Sequence, residues 1–302
     1  MTEDEWRTCS NIGEMLWKLE GKASNRKLIL FCCACCRRLE HLLADGRSRR
    51  SLDAAEEGAD GLVSKEEMGQ LQRQAERAIQ QICSVYRRTV SLELLANGNA
   101  AQAAMSAAES VARLGDTNFD LLYHVELVAL KARDCLAHFA AKDVAQVIDP
   151  PEDVVHQTDI FDYRYDTDRP PIENEGHWQP ADGDEYYRLP LSDRILVKGR
   201  DAKILRSAWV GELQAQCSLL RDIVGNPFRR GRVDENALTR DQSTSVNLAR
   251  AIYDERAFGR MSILADALEE SGCTDADVLE HCRQSAEHVR GCWVIDSLLG
   301  RK

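Results

Sequence analysis

Between Ser64 and Arg88 the chain reads SKEEMGQLQRQAERAIQQICSVYRR. Met68, Leu71, Ala75, Ala78, Ile79, Ile82 and Tyr86 recur there at steps of three and four. A helix of 3.6 residues per turn collects those positions into one apolar stripe, whereas a strand would scatter them over both faces. Ser64 and Glu67 have the spacing of a capping box, which fixes where the helix begins. A stripe of this length needs other helices to cover it, so the segment sets the fold class for its surroundings.

The neighbouring sequence supplies them. Asn11 with Glu14 gives an N-x-x-E start and Gly21 a stop, and Ser24 caps a run to Gly46 that accommodates two helices. The alanine-rich stretch from Ala100 to Leu114 ends at Gly115, and Phe119 to about Val147 carries a further helical pattern before Pro150. Strand signals are scarce, and no Asn-Gly or Asp-Gly turn separates alternating runs. Residues 1–147 therefore read as an α-helical region. Residues 148–201 change character: prolines, acids and tyrosines concentrate without helical periodicity, as in a long irregular insertion. At its end YYRLPL and RILVKG have the pattern of one short β-hairpin. Helical signals return over residues 202–302, from Ala202 to Val224, from Ser243 or Thr244 onward, and through MSILADALEESG to Gly272. Thr274 with Asp277 starts a helix to Arg283, and His288 to Leu299 forms the last. The expected fold is mainly α, a multi-helix bundle or stacked helical pairs with an acidic insertion.

At 302 residues the chain can bury a full core without disulfides. Its formal charge of −11 disfavours a broad phosphate-binding surface, so nucleic acid is not the expected partner. Basic clusters at Arg47, Arg49 and Arg50 and at Arg229, Arg230 and Arg232 read as solvated helix ends or loops, because helix C-termini favour cations. No apolar run approaches the ~20 residues needed to span a bilayer. MTEDEWRTCS lacks the basic and apolar regions of a secretory signal. A cytoplasmic location follows as the expectation, with the eleven cysteines mainly reduced thiols.

Four of those cysteines fall in FCCACCRR at positions 31–38. On a helix Leu28, Phe31, Cys32, Cys35, Leu39 and Leu42 share a face, with Cys36 beside them, and free cysteine packs well in cores. Cys33 points to the opposite side. Cys32 with Cys35 and Cys33 with Cys36 make overlapping C-x-x-C pairs, but neither a second pair at zinc-knuckle spacing nor a βαβ pattern accompanies them. A second cluster, LEHCRQSAEHVRGCW, supplies His281, Cys282, His288 and Cys292, donors suited to zinc. His281 and Cys282 are adjacent and diverge by about 100° on a helix, and the competing reading is a turn between two helices with both cysteines buried. Cys135 and His138 share a helix face as ordinary packing. Glu56 with Glu57, Glu66 with Glu67 and Glu269 with Glu270 read as solvated faces. Walker, G-x-G-x-x-G, G-x-S-x-G and H-E-x-x-H signatures are missing.

EWRTCSNIGEMLWKLEGKASNRKLILFCCACCRR, LLRDIVGNPFRR and LARAIYDERAFGRMSILADALEESGCTDADVLEHCRQSAEHVRGCWVIDSLLG together resemble a family of bacterial proteins with no established activity. The resemblance implies one architecture for the first fifty and last hundred residues, and carries over no catalytic residues. It also implies contact between the CCACCRR helix and the EHVRGCW segment. On that basis Cys33, Cys36, Cys282, His288 and Cys292 are the candidate metal ligands. The first functional expectation is a non-enzymatic cytoplasmic helical protein that acts through protein–protein contact and needs no cofactor. The alternative is a zinc-binding or thiol-dependent protein using the two Cys-rich regions.

Overall fold

The computed structural model describes residues 1–86, 92–114, 120–141, 145–147, 180–181, 186–189, 192–229 and 242–301. The architecture is mainly α. The first seven helices are α1 (Glu3–Thr8), α2 (Ile12–Lys18), α3 (Asn25–Arg37), α4 (Gly46–Ala59), α5 (Lys65–Tyr86), α6 (Leu92–Ala112) and α7 (Leu121–Ala141). Then come α8 (Gly199–Val224), α9 (Gln242–Glu255), α10 (Met261–Glu270), α11 (Ala276–Arg283) and α12 (Trp293–Leu298). Between α7 and α8 the described backbone forms β1 (Ala145–Val147), β2 (Pro180–Ala181), β3 (Tyr186–Leu189) and β4 (Ser192–Lys198). These pair antiparallel in the order β1-β4-β3-β2. The β3–β4 hairpin falls on YYRL and SDRILVK, with Tyr187 opposite Val197. The acidic stretch 148–179, Arg230 and Arg232 lie outside the described residues.

Several helix starts are those the sequence marks. The Asn11 side chain accepts from the Gly13 and Glu14 amides, Ser24 from the Lys27 amide and Ser64 from the Glu67 amide. Each satisfies a donor that the first helical turn would leave open. Four boundaries differ. Asp45 caps α4 and pairs with Arg47, so the 47–50 arginines begin a helix rather than end one. Asp275, not Thr274, caps α11. The α7 helix is described to Ala141, and 145–147 is not helix but extended backbone paired with Ile195–Val197 of β4. The last helix starts at Trp293 instead of His288.

The core explains the cysteine helix. α3 packs against α4, α6, α7 and α8, so it has no solvent face over most of its length, and Leu28 to Cys36 are all buried. Cys33 is therefore as buried as Cys32; a helix covered on every side is apolar all round. Arg37 and Arg38 are not free surface groups either. Arg37 binds Glu56 and Asp53, and Arg38 binds Glu212 and Glu287. Glu56 is buried between Arg37 and Arg256, which corrects its reading as a solvated residue.

One apolar cluster joins α1 through α8, and a second is formed by α9 through α12. Between them runs a seam of polar side chains, and the candidate site lies on it. Among the described residues no helix is long and apolar enough to cross a membrane.

Candidate metal centre

Asp222 sits in the last turn of α8, with its side chain 1% exposed. After Val224 the chain leaves the helix through Gly225, whose φ of +73° is the left-handed conformation that commonly ends helices. A Cβ at Gly225 would lie 3.0 Å from the Trp293 ring, so the bare backbone lets α12 close onto the end of α8. His281 projects from α11, and Gln284 then turns extended to release the loop carrying His288. At Gly291, φ is +94° and a Cβ would come within 2.9 Å of Leu30. That tight turn places Cys292 at the start of α12, fully buried.

These segments bring four donor atoms to one point. His288 Nδ1 is 2.6 Å and His281 Nε2 3.1 Å from Asp222 Oδ1, and His281 Nε2 is 3.2 Å from Cys292 Sγ. The ligand atoms of Asp222, His281, His288 and Cys292 all lie within 4.8 Å of one another, an arrangement that could hold a metal ion. The other Asp222 oxygen accepts from the Val289 amide at 3.0 Å, and His281 Nδ1 meets Gln284 Nε2 at 3.1 Å. The two imidazoles meet edge to face at 4.9 Å, and Trp293 lies 5.2 Å from His281. Fixed carboxylate and imidazole orientations of this kind are what second partners supply to metal ligands.

The electrostatics of the four groups are unequal. Burial opposes ionisation of Asp222, but hydrogen bonds from His281 and His288 outweigh it and hold the carboxyl below its ordinary range. The Cys292 thiol is pushed well up by burial first and by the Asp222 charge second, against the pull of the Ile295 and Val294 amides. One nitrogen, His281 Nε2, thus faces both a carboxylate oxygen and a sulfur. A single N–H cannot point well at both, whereas a cation between them could be met by all.

Three donors of the second sequence cluster, His281, His288 and Cys292, meet in this group, and of the five candidate ligands His288 and Cys292 are in it. Cys282 is buried on α11 toward the second apolar cluster, its thiol pushed up to about 12 by burial, with Asp222 and Cys273 adding to the effect. Cys33 and Cys36 lie in the first cluster on the side of Glu56. Burial dominates their shifts, and the Cys36 thiol is raised to about 12. The α3 helix does approach the terminal segment, but through other residues. Lys27 Nζ donates to Gly291 O at 2.6 Å and Ile223 O at 2.8 Å, while Arg38 reaches Glu287. Asp222 and His281 are the members absent from the candidate ligand set. The signal for Asp222 was one acid inside the apolar run LLRDIV, too common a pattern to mark a ligand.

Comparison of the chain with protein-family models, with curated proteins and with solved structures gives no match.

Proposed function

We propose that the protein binds one zinc ion through Asp222, His281, His288 and Cys292, and that the ion staples α8 to the α11–α12 hairpin. The supporting observation is the convergence of four different donors, drawn from α8, α11 and the loop before α12, on one buried point. Two neutral imidazoles with one carboxylate and one thiolate give a ligand charge of −2, which balances Zn²⁺ in a buried site. Nitrogen and sulfur donors select zinc over magnesium or calcium. Zinc bonds of about 2.0–2.3 Å put tetrahedral ligand atoms roughly 3.4 Å apart. The 3.1 and 3.2 Å contacts are close to that, and the 2.6 Å contact has to open by about 0.8 Å. Four protein ligands leave no open position, so the role is structural rather than catalytic. A reducing cytoplasm suits it, because Cys292 must stay out of a disulfide to bind the ion as thiolate.

The competing reading is a thiol nucleophile, carried by the 3.2 Å Cys292–His281 contact and by Gln284 at the other ring nitrogen. A nucleophile needs access to substrate. Cys292 is fully buried, out of reach of a substrate but not of a buried ion, so zinc is the better reading. Among the described residues the large exposed apolar side chains that could serve the protein-contact expectation are Trp17, Leu62, Tyr123, Phe228 and Ile263, scattered over α2, the α4–α5 turn, α7, the turn after α8 and α10. Single exposed apolar side chains are normal on protein surfaces.

The test is elemental analysis of the purified chain, followed by Co²⁺ substitution. One zinc per chain is expected, with a sulfur-to-cobalt charge-transfer band that disappears in Cys292→Ser. A folded chain that neither carries zinc nor takes it up from micromolar solution sinks the proposal.

A further inference from the structure

A second cluster of charge lies on the same seam and does not involve the four ligands. Asp60, at the end of α4, faces three guanidinium groups. Arg26 Nε donates to its Oδ1 at 2.8 Å, Arg290 Nη2 to its Oδ2 at 2.7 Å, and Arg301 Nη1 approaches Oδ2 at 3.1 Å. Tyr253, fully buried on α9, donates its hydroxyl to the same Oδ2 at 2.7 Å. Asp296 is the second carboxylate, and Arg26 with Lys27 already neutralise it. Four cations thus surround two carboxylates, and the excess is concentrated at Arg290 and Arg301.

Those two arginines are held together. The Arg290 guanidinium lies 4.6 Å from the centre of the Tyr253 ring and the Arg301 guanidinium 4.1 Å, and both use the same carboxylate oxygen. Two like charges sharing one acceptor repel, and a protein that only needed an ion pair would need one of them. Arg26 has its donors occupied by Asp60, Asp296 and Tyr253. Among the described residues, Arg290 bonds only Asp60 and the Tyr253 hydroxyl and so keeps donors to spare, and Nε and Nη2 of Arg301 have no acceptor. The Arg290 and Arg301 side chains are 15% and 34% exposed, so these open donors border solvent. In a chain of net charge −11 this is a local reversal of sign.

We infer that Arg290 and Arg301 form a binding site for a small oxyanion of the phosphate class, with Asp60 and Tyr253 as its rigid frame. Paired guanidinium forks match the oxygens of a phosphate group, either as the free ion or as a phosphate monoester. The asymmetry between the arginines sets their roles. Arg290 is anchored by two bonds to Asp60 and is preorganised, while Arg301, more exposed and held by one ion pair and its stack on Tyr253, supplies the outer donors. The inference is independent of zinc, because neither arginine contributes to the metal ligands.

Isothermal titration of the full chain with inorganic phosphate, with phenyl phosphate and with acetate tests it, against chloride at matched ionic strength. The expected result is one phosphate per chain, weakened by added salt, with acetate at least tenfold weaker. Arg301→Gln should lower phosphate affinity at least tenfold while moving the melting temperature little, since the ion pair and ring stack it loses are partly exposed and Asp60 keeps Arg26 and Arg290. Arg283→Gln, which removes an arginine paired with Asp266 and Glu269 elsewhere on the surface, should bind as wild type. Tighter binding of phenyl phosphate than of phosphate identifies a monoester as the ligand, and the reverse identifies the free ion. No uptake beyond the chloride background, or equal affinity in wild type and Arg301→Gln, overturns the inference.

Discussion

Asp60→Asn is the perturbation that most directly measures the polar seam. The Asp60 side chain is 2% exposed and is the carboxylate that Arg26, Arg290 and Arg301 share. Asparagine keeps the shape and one accepting oxygen, so what it removes is the charge. Breaking a buried ion pair by removing one partner costs about 3–5 kcal/mol, because the other charge stays buried. Arg290 and Arg301 border solvent and can be rehydrated, which points to the lower end, about 3 kcal/mol. For a chain of this size each kcal/mol moves the midpoint by about 2 °C, so thermal melts at neutral pH should show a fall of about 6 °C. Hydrogen exchange should place the loss in α9 to α12, which the seam docks onto α3 and α4. The pH dependence has a definite sign. Burial disfavours the ionised form of Asp60, yet bonds from Tyr253 and Arg26 outweigh it and leave the folded pKa below the ordinary value. The folded state then binds fewer protons than the unfolded chain. The contribution is complete above the unfolded pKa, near ~3.9, and is lost as pH falls through the folded value. The difference between wild type and Asp60→Asn should therefore close in acid. A neutral-pH melt within about 1 °C of wild type, or a gap that widens below pH 4, would refute the reasoning.

Four further outcomes follow from the same geometry. With a disulfide reagent at pH 8, half-buried Cys9 should label before the buried cysteines, and Cys33 and Cys36 only after denaturation, since burial pushes both thiols up. Mass-spectrometric mapping that finds Cys33 as fast as Cys9 contradicts the packing of α3. Gly291→Ala should cost about 1–3 kcal/mol, because φ is +94° and the new Cβ meets Leu30, and should weaken zinc uptake by shifting Cys292. Gly211→Ala, in open space inside α8, should instead stabilise by about 0.5–1 kcal/mol; calorimetry showing the two variants alike would be inconsistent with this account. Arg38→Met leaves Glu212 buried without its cation and should cost about 3 kcal/mol, while Glu212→Gln should cost less, because burial already pushes that carboxyl toward its neutral form. A denaturant series that reverses that order disproves it. Zinc at a thousand times its dissociation constant should stabilise the wild-type chain by about 4 kcal/mol and Cys292→Ser much less; melts in which zinc moves neither, or both equally, would refute the ligand set.

What the sequence made legible was local. Asn11, Ser24 and Ser64 begin helices because a side-chain oxygen three residues before an open amide is a short-range fact, and the α5 stripe needs no partner to be seen. Its failures share a cause as well. Cys33 looked outward because a helical wheel shows one apolar face, and only the approach of α4, α6, α7 and α8 removes the other. Glu56 beside Glu57 resembled a wet surface because Arg37 and Arg256, which neutralise it, are distant in the chain. The segment from His288 to Trp293 continued an apolar pattern and was read as helix, yet a left-handed Gly291 interrupts it. Cysteine is not a residue that advertises a helix start, so Cys292 gave no warning. Three of the four donors, His281, His288 and Cys292, stand out in the sequence because His and Cys are scarce, although His281, beside Cys282 on a helix, is not among the five candidate ligands. Asp222 was hidden among fifty acidic residues.

The seam also has a role that apolar packing cannot fill. Burial of hydrophobic surface is non-directional, so two apolar clusters could dock in several registers at similar cost. Lys27 removes that freedom: its ammonium bonds Ile223 O and Gly291 O, each one residue from a donor of the cluster, and also pairs with Asp296. Arg26, its neighbour in the first turn of α3, joins Asp296 to Asp60. One turn of α3 therefore sets the position of Asp222 against Cys292 on one side and of Arg26 against the Arg290–Arg301 pair on the other. Along residues 288–301 the partners alternate, with His288 and Cys292 turned to Asp222 and Arg290, Asp296 and Arg301 turned to the charged network. A rotation of that segment about its axis would break both sets together. The arrangement accounts for so many charges at a buried junction: each bond adds little net stability, but together they admit one alignment of the terminal helices, the one in which the four donors meet.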